Sequence, residues 1–282
     1  MYDSRFLSSP SSSACHRRDR RLALRALATG LLVPVLPAKA QAQARMSLAT
    51  AINRSARFRA LSQRMAKAFG QLYLNVRPVH AREVLEHTQR QMRSGFEDMA
   101  RQAWPPEVAR LLDEVRRSAD RLNALTDQAP SKTAFQAVST QADQMLALAD
   151  TTTEVLERQA QVPTARLVNT AGRQRMLSQR LAKNYELAAA GLDSRSVREQ
   201  MAGDAAEFQR ALAQLLKAPI STPAIRSALE LGQAQWVFFD AALKRQPDAR
   251  GLQEVATTSE RLLEVMDSLT ALYEAAMQDL LG

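Results

Sequence analysis

Leu167-Val168-Asn169-Thr170-Ala171-Gly172-Arg173-Gln174-Arg175-Met176-Leu177-Ser178-Gln179-Arg180-Leu181-Ala182-Lys183 is one half of an internal repeat. The other half is Ile52-Asn53-Arg54-Ser55-Ala56-Arg57-Phe58-Arg59-Ala60-Leu61-Ser62-Gln63-Arg64-Met65-Ala66-Lys67. Asn53 and Asn169 set the offset at 116, and at that offset the Arg pairs, Leu-Ser-Gln-Arg and Ala-Lys superpose without a gap. A repeat of this length points to duplication of a whole domain rather than to a short solenoid unit.

Neither copy contains Pro, and the only Gly is Gly172. Both are rich in Ala, Leu, Arg, Gln and Lys, the residues that lose least on entering a helix. At 3.6 residues per turn, Val168, Gly172, Arg175, Gln179 and Ala182 fall on one stripe, and Ile52, Ala56, Arg59, Gln63 and Ala66 on its counterpart. The shared order is apolar, small, Arg, Gln, Ala. Small residues one turn either side of an Arg let another helix approach, which would leave the guanidinium partly desolvated. A desolvated guanidinium needs an anionic partner. Neither stripe offers an Asp or Glu within a turn of its Arg, so the expected anion comes from outside the chain.

Outward from the repeat, proline, glycine and loop residues divide the chain into eight predicted helices. Four fall at about 47–76, 80–101, 107–126 and 132–159, separated by Pro78, the Trp104-Pro105-Pro106 corner and a loop holding Pro130. Pro163 marks a boundary. Four more fall at about 164–190, ending at Gly191 as a natural C′ residue, and then 194–217, 224–245 and 252–281. Hydrophobic residues make up 46% of the 282 and aromatics only 5%. Strand-like alternation is absent, which favours an all-α protein. Short loops between four helices read as an up-down-up-down bundle. The expected architecture is therefore two tandem antiparallel four-helix bundles, residues 44–160 and 161–282. Trp236, Phe238 and Phe239 are expected mostly in the core, as is Met176.

Residues 1–42 read as a cleavable export signal: Arg17-Arg18-Asp19-Arg20-Arg21, a short apolar segment from Leu22 to Leu36, and a small-residue end at Pro37-Ala38-Lys39-Ala40-Gln41-Ala42. Asp19-Arg20-Arg21-Leu22-Ala23-Leu24 resembles a twin-arginine leader; an ordinary Sec signal is the alternative. The apolar segment is shorter than the roughly 20 residues of a membrane span, so the expected mature protein is soluble and periplasmic. The formal charge of +9 belongs largely to this leader, which holds seven basic and two acidic residues. Beyond it the net charge is +4, with signs interleaved along the predicted helices. This argues against a nucleic-acid binder, which would show a basic face with groove-reading elements. Cys15 is the only cysteine and lies in the leader, so no disulfide or thiolate metal site is expected after cleavage.

Ala171-Gly172-Arg173-Gln174-Arg175-Met176-Leu177-Ser178-Gln179-Arg180 resembles the P-box of the NarX/NarQ nitrate sensors. It is still more similar to the N-terminal sensory domain of the PilJ family of type IV pili chemotaxis transducers. The resemblance implies that this segment is the first helix of a four-helix sensory bundle. It also implies that Arg175 is the residue which, in the dimeric nitrate sensors, clamps a nitrate together with its symmetry mate. The internal repeat places Arg59 as the counterpart within this chain, although Ala56 replaces Gly and Ala60 replaces Met there. Arg57, Arg173 and Gly172 complete the expected ligand-binding set.

Nitrate is a small planar oxyanion, and guanidinium offers it planar, forked N–H donors. Three arrangements stand open: Arg59 and Arg175 meeting across a pseudo-twofold, a separate site in each domain, or a homodimer pairing Arg175 with its own copy. Asn53 and Asn169 would bond the ligand or a neighbouring helix. Ser62, Gln63, Ser178 and Gln179 would orient the arginines. The competing reading pairs these arginines with acids of other helices, such as Glu207, Asp204 or Glu86. Enzyme signatures are missing: His80 and His87 share a helix face without a completing carboxylate pattern, and no phosphate loop, Ser elbow or paired Glu-x-x-His motif is present. No cofactor is expected. The function expected is recognition of a small anion, nitrate or nitrite first, by a periplasmic module signalling through a membrane-bound sensor kinase, chemoreceptor or transporter. The alternative is a protein-interaction module without a small ligand, docking on a receptor, transporter or pilus component.

Overall fold

Both copies of the repeat fold as long helices that lie against each other. The computed structural model describes residues 46–220 and 222–281, so the export signal expected at 1–42 lies outside the described residues. Among the described residues the elements are α1 (Leu48–Tyr73), α2 (Pro78–Ala100), α3 (Pro106–Thr126), α4 (Lys132–Ala160), α5 (Pro163–Ala189), α6 (Arg195–Leu216), α7 (Pro223–Leu243) and α8 (Ala249–Leu281). Each start has a local cause. Ser47, Ser131, Ser194 and Thr222 cap α1, α4, α6 and α7 by accepting a backbone N–H three residues on, which satisfies an otherwise orphaned donor. Pro at the first helical position opens α2, α3, α5 and α7, where its missing N–H costs nothing.

Helices α1 and α5 end in the same way. Gly191 follows α5 at φ +65°, and Asn75 follows α1 at φ +56°. In each case the next N–H reaches back to close the last turn, Leu192 to the Leu187 carbonyl and Val76 to the Gln71 carbonyl. Only Gly and a few residues such as Asn adopt this left-handed geometry readily.

Helix α1 packs on α2, α3 and α4, and α5 packs on α6, α7 and α8; α1 and α5 then pack on each other, flanked by α4 and α8. The described residues form one compact unit. The two central helices run parallel and nearly in register at the repeat offset. A β-carbon added to Gly172 would lie 3.0 Å from the Ala56 β-carbon, and one added to Gly70 would lie 2.6 Å from Glu186 Oε2; both pairs are 116 residues apart. The Ala-rich composition of α1 follows from this position. It is covered on nearly every side, and Ala49, Ala51, Ile52, Ala56, Ala66 and Ala68 are fully buried, where small side chains permit close approach of neighbouring helices.

The outer helices complete the core with aromatic stacks. Phe58 lies on Phe96 at 4.2 Å and Phe208 on Trp236 at 4.3 Å between ring centroids. Met176, Trp236 and Phe239 are buried as expected, but Phe238 is 62% exposed. The helical period explains the correction. Ile225, Leu229, Gly232, Trp236 and Phe239 already form the inward stripe of α7, and Phe238 stands a third of a turn outside it. Among the described residues, no helix is long and apolar enough to cross a membrane.

Candidate functional site

The α1–α5 seam is polar in its middle. Arg59 and Arg175 are the largest fully buried side chains of the described residues, at 0% and 1% exposure. Both guanidiniums reach Gly172: a β-carbon there would lie 3.2 Å from Arg175 Nη2 and 3.6 Å from Arg59 Nη2. Gly172 thus leaves room for two long side chains to cross the seam.

Each arginine crosses to the Asn of the other copy. Arg59 Nη2 donates to Asn169 Oδ1 at 2.7 Å, and Arg175 Nη2 donates to Asn53 Oδ1 at 2.7 Å. The anion that neither stripe carries comes from the fourth helix of each half. Arg59 Nη1 donates to Asp150 Oδ1 at 2.5 Å, and Arg175 Nη1 to Asp267 Oδ1 at 2.6 Å. The expectation that the partner anion must be external therefore meets an internal carboxylate at both arginines. Sequence periodicity is local to one helix, whereas these acids are 91 and 92 residues away from their arginines.

A second arginine closes on each carboxylate. Arg173 Nη1 lies 3.0 Å from Asp150 Oδ2, and Arg57 Nη2 lies 2.6 and 2.7 Å from the two oxygens of Asp267. Each clamp therefore draws one guanidinium from α1 and one from α5 onto a single carboxylate. Burial pushes the Asp150 and Asp267 carboxyls up, but the paired guanidiniums outweigh it and hold both below the usual carboxylate range. Burial pulls the Arg175 guanidinium down to about 10, which leaves it charged at neutral pH.

The acids form a column on each fourth helix. Asp143, Asp150 and Glu157 on α4 recur as Glu260, Asp267 and Glu274 on α8, seven residues apart within each helix and 117 between them. Every rung is used. Lys183 Nζ donates to Asp143 at 2.7 Å, and Lys67 Nζ donates to Glu260. Asn169 Nδ2 donates to Glu157 at 2.5 Å, and Asn53 Nδ2 donates to Glu274. These four contacts join one half of the molecule to the other, so α4 and α8 staple the seam from its two sides. The sequence carried this signal as a second repeat, weaker than the first because only the acidic character and the spacing of seven persist.

The remaining expected residues have quieter positions. Ser62 and Ser178 donate to the carbonyls of Arg59 and Arg175, each at 2.8 Å, and do not touch the guanidiniums. Gln63 and Gln179 are fully buried, with Oε1 of each lacking a hydrogen-bond partner, as do Gln174 Oε1 and Arg175 Nε. Arg173 also pairs with Glu207, and Arg180 binds Asp204 at 2.6 and 2.7 Å. Glu86, by contrast, only approaches Arg90 on the exposed face of α2.

Two clefts open beside the clamps. One of about 430 Å³ lies between α4, α5 and α6, with Arg59, Asp150, Asn169 and Arg173 in its wall. The other, of about 240 Å³, lies between α1, α2 and α8 and is walled by Arg57, Arg175 and Asp267 together with Arg64, His87 and Glu260.

The family described as PilJ, type IV pili methyl-accepting chemotaxis transducer N-term, matches residues 158–256. The matched span covers α5, α6 and α7 and the start of α8, and so includes Arg173, Arg175 and the Gly172 crossing point. No curated protein and no solved structure matches the chain.

Proposed function

We propose that the chain is a sensory module that recognises a small oxyanion at the two-arginine clamps and passes the event to a membrane-bound partner. Residues 44–160 and 161–282 act in this reading as two copies of one PilJ-type domain, joined as a pseudo-dimer along α1 and α5. The observation that carries it is the twice-repeated convergence of one α1 and one α5 arginine on a single carboxylate. An arrangement that binds a carboxylate between forked donors from two halves of a molecule is one that senses an oxyanion by drawing those halves together. The family match over the second half supports a sensory role, with nitrate and nitrite as the first anions to test and the periplasm as the compartment.

The test is a thermal-melt titration of residues 44–282 with nitrate, nitrite, sulfate and chloride. An anion at 100 times its dissociation constant adds about 2.7 kcal/mol of stability. In a domain of this size that raises the melting temperature by about 5–10 °C. The expected result is a rise with nitrate or nitrite beyond that with chloride, lost in Arg59→Ala and Arg175→Ala. Equal responses to all four salts would remove the anion from the proposal.

The outer face of α7 favours a second reading, docking on a protein partner. Ala224, Ser227, Leu231, Ala234, Phe238 and Ala241 are all exposed and uncharged, and recur at alternating spacings of three and four. The corresponding helix α3 instead exposes Arg110, Arg116, Arg117 and Arg121. A 3-4 stripe of this kind fits an apolar helix of the membrane partner laid along it. A photo-crosslinker at position 238 should then capture that helix while one at Arg117 does not. Phe238→Glu should abolish capture and change stability by no more than about 0.5 kcal/mol, as expected of an exposed site.

A further inference from the structure

Asp150 lies at a wall of the larger cleft with its side chain 25% exposed, while its partner Arg59 is buried behind it at 1%. Its two oxygens are shared between guanidiniums from two helices: Oδ1 takes Arg59 Nη1 at 2.5 Å and Arg173 Nη1 at 3.2 Å, and Oδ2 takes Arg173 Nη1 at 3.0 Å. Asn169 Oδ1 fills the remaining inward N–H of Arg59. Viewed from the cleft, the carboxylate occupies the place of a bound anion, and only its β-carbon and the α4 backbone tie it to the chain. Arg166 and Arg210 also line this cleft, and neither has an ion-pair partner among the described residues. Glu154, Glu157 and Glu207 line the same cleft, so Arg166 and Arg210 offset acids at its entrance and leave the lining balanced in charge.

We propose that Asp150 is a built-in ligand: it closes a carboxylate site formed by Arg59 and Arg173, and a free small carboxylate entering from the α4–α5–α6 cleft can take its place. Exchange frees the Asp150 side chain from the α1–α5 seam while leaving both guanidiniums paired, and the Asp143 and Glu157 contacts still hold α4 in place. The site then reports ligand by the release of that carboxylate rather than by filling an empty pocket. This rests on the sensory reading for its biological use, but its chemistry stands apart from nitrate. The same clamp at Asp267 opens on the smaller cleft.

The test is size-matched rescue. Asp150→Ala removes one carboxylate group and keeps the β-carbon; Asp150→Gly removes both. The melting temperature of both variants should fall, and added carboxylate should restore it saturably. Formate should be the better rescuer of Asp150→Ala and acetate of Asp150→Gly, and saturating formate should shift the Asp150 carboxyl resonance of the wild-type chain, since Asp150 is the group displaced; an unmoved resonance would overturn the exchange. Sodium chloride at equal ionic strength controls for general salt effects, and a nitrate arm separates carboxylate selectivity from generic oxyanion binding. Equal responses to formate, acetate and chloride would overturn the inference. Where a variant is too unstable to purify folded, refolding from urea provides the readout: helical signal recovered in formate or acetate but not chloride supports the site, and failure in all three overturns it. The wild-type titration with nitrate fails or succeeds independently, so loss of the nitrate reading and loss of this site are separate results.

Discussion

Glu260→Ala should lower the unfolding free energy by about 3–5 kcal/mol, because it strands a buried ammonium. Lys67 is fully buried in α1, and its Nζ is served by Glu260 and by Ser259 Oγ at 3.2 Å. Glu260 also takes Arg64 Nη2 at 2.5 Å, so a single carboxylate satisfies two cations of α1 from the other half of the molecule. Burial pushes the Glu260 carboxyl up, but the charges of Lys67 and Arg64 and their hydrogen bonds outweigh it and hold it at about 2. A carboxyl depressed on folding stabilises the protein fully above its unfolded value near 4.5, and that contribution is lost as pH falls through about 2. A depression of this size corresponds to about 3 kcal/mol. Urea unfolding of wild type and Glu260→Gln between pH 7 and pH 2 checks it. Both should lose stability across this window, because Asp150 and Asp267 titrate in both, and the wild type should lose more by the share that belongs to Glu260. Parallel acid limbs would show that the pair contributes nothing beyond its hydrogen bonds. Replacing both Lys67 and Glu260, as Lys67→Met with Glu260→Leu, should cost less than Glu260→Ala, since no buried ammonium is then stranded and only Arg64, whose side chain reaches solvent, loses its carboxylate.

The two central helices were legible in the sequence because everything that marks them is local. Pro163 at the first turn of α5, Gly191 just past its end, Pro78 beyond α1 and the low-cost helix formers within both all act within one segment, so boundaries fell within a few residues of the observed ones. The polar stripe was legible for the same reason, and it singled out Arg59 and Arg175, the two most buried arginines of the described residues. What the sequence withheld was the partner of each. Asp150 and Asp267 are set by how α4 and α8 pack on the seam, and no helical period connects them to the arginines. They were reachable only through the acidic column repeated at 117, one residue off the stronger repeat at 116. The misplacement of Phe238 has a different origin. Three aromatics within four residues cannot all face one way on a helix, and hydrophobicity alone does not say which is left outside. Among the acids proposed as competing partners, Glu207 and Asp204 do bind Arg173 and Arg180. The bland ionic reading and the clamp reading thus describe two layers of the same seam.

The seam also holds a carboxyl that no cation answers directly, and its substitution should have its largest effect in alkali. Glu186 stands on α5 at the position that Gly70 occupies on α1, and the absence of a side chain at Gly70 is what makes room for it. It is 1% exposed, accepts one hydrogen bond from Gln71 Nε2 at 3.0 Å, and its Oε2 has no partner. The Phe135 ring closes over it from α4, and the charged groups nearest are Lys67 on α1 and Glu260 on α8. Burial pushes the Glu186 carboxyl well above its usual value; Lys67 and the Gln71 hydrogen bond oppose this, and Glu260 adds to it. A carboxyl raised on folding stabilises the protein fully below its unfolded value near 4.5, and this contribution is lost as pH rises through the folded value. Its dependence is opposite to that of Glu260. Glu186→Gln keeps the size and the acceptor for Gln71 while abolishing the titration. Its stability relative to wild type should therefore climb as pH rises above about 5 and level off once the folded value is passed, read as a growing difference in urea midpoint with unchanged m-value. A constant difference across that range would mean that Glu186 stays charged when folded, held there by Lys67. In that case Lys67→Met should make the pH dependence appear, because it removes the one cation able to keep the carboxylate ionised inside the seam.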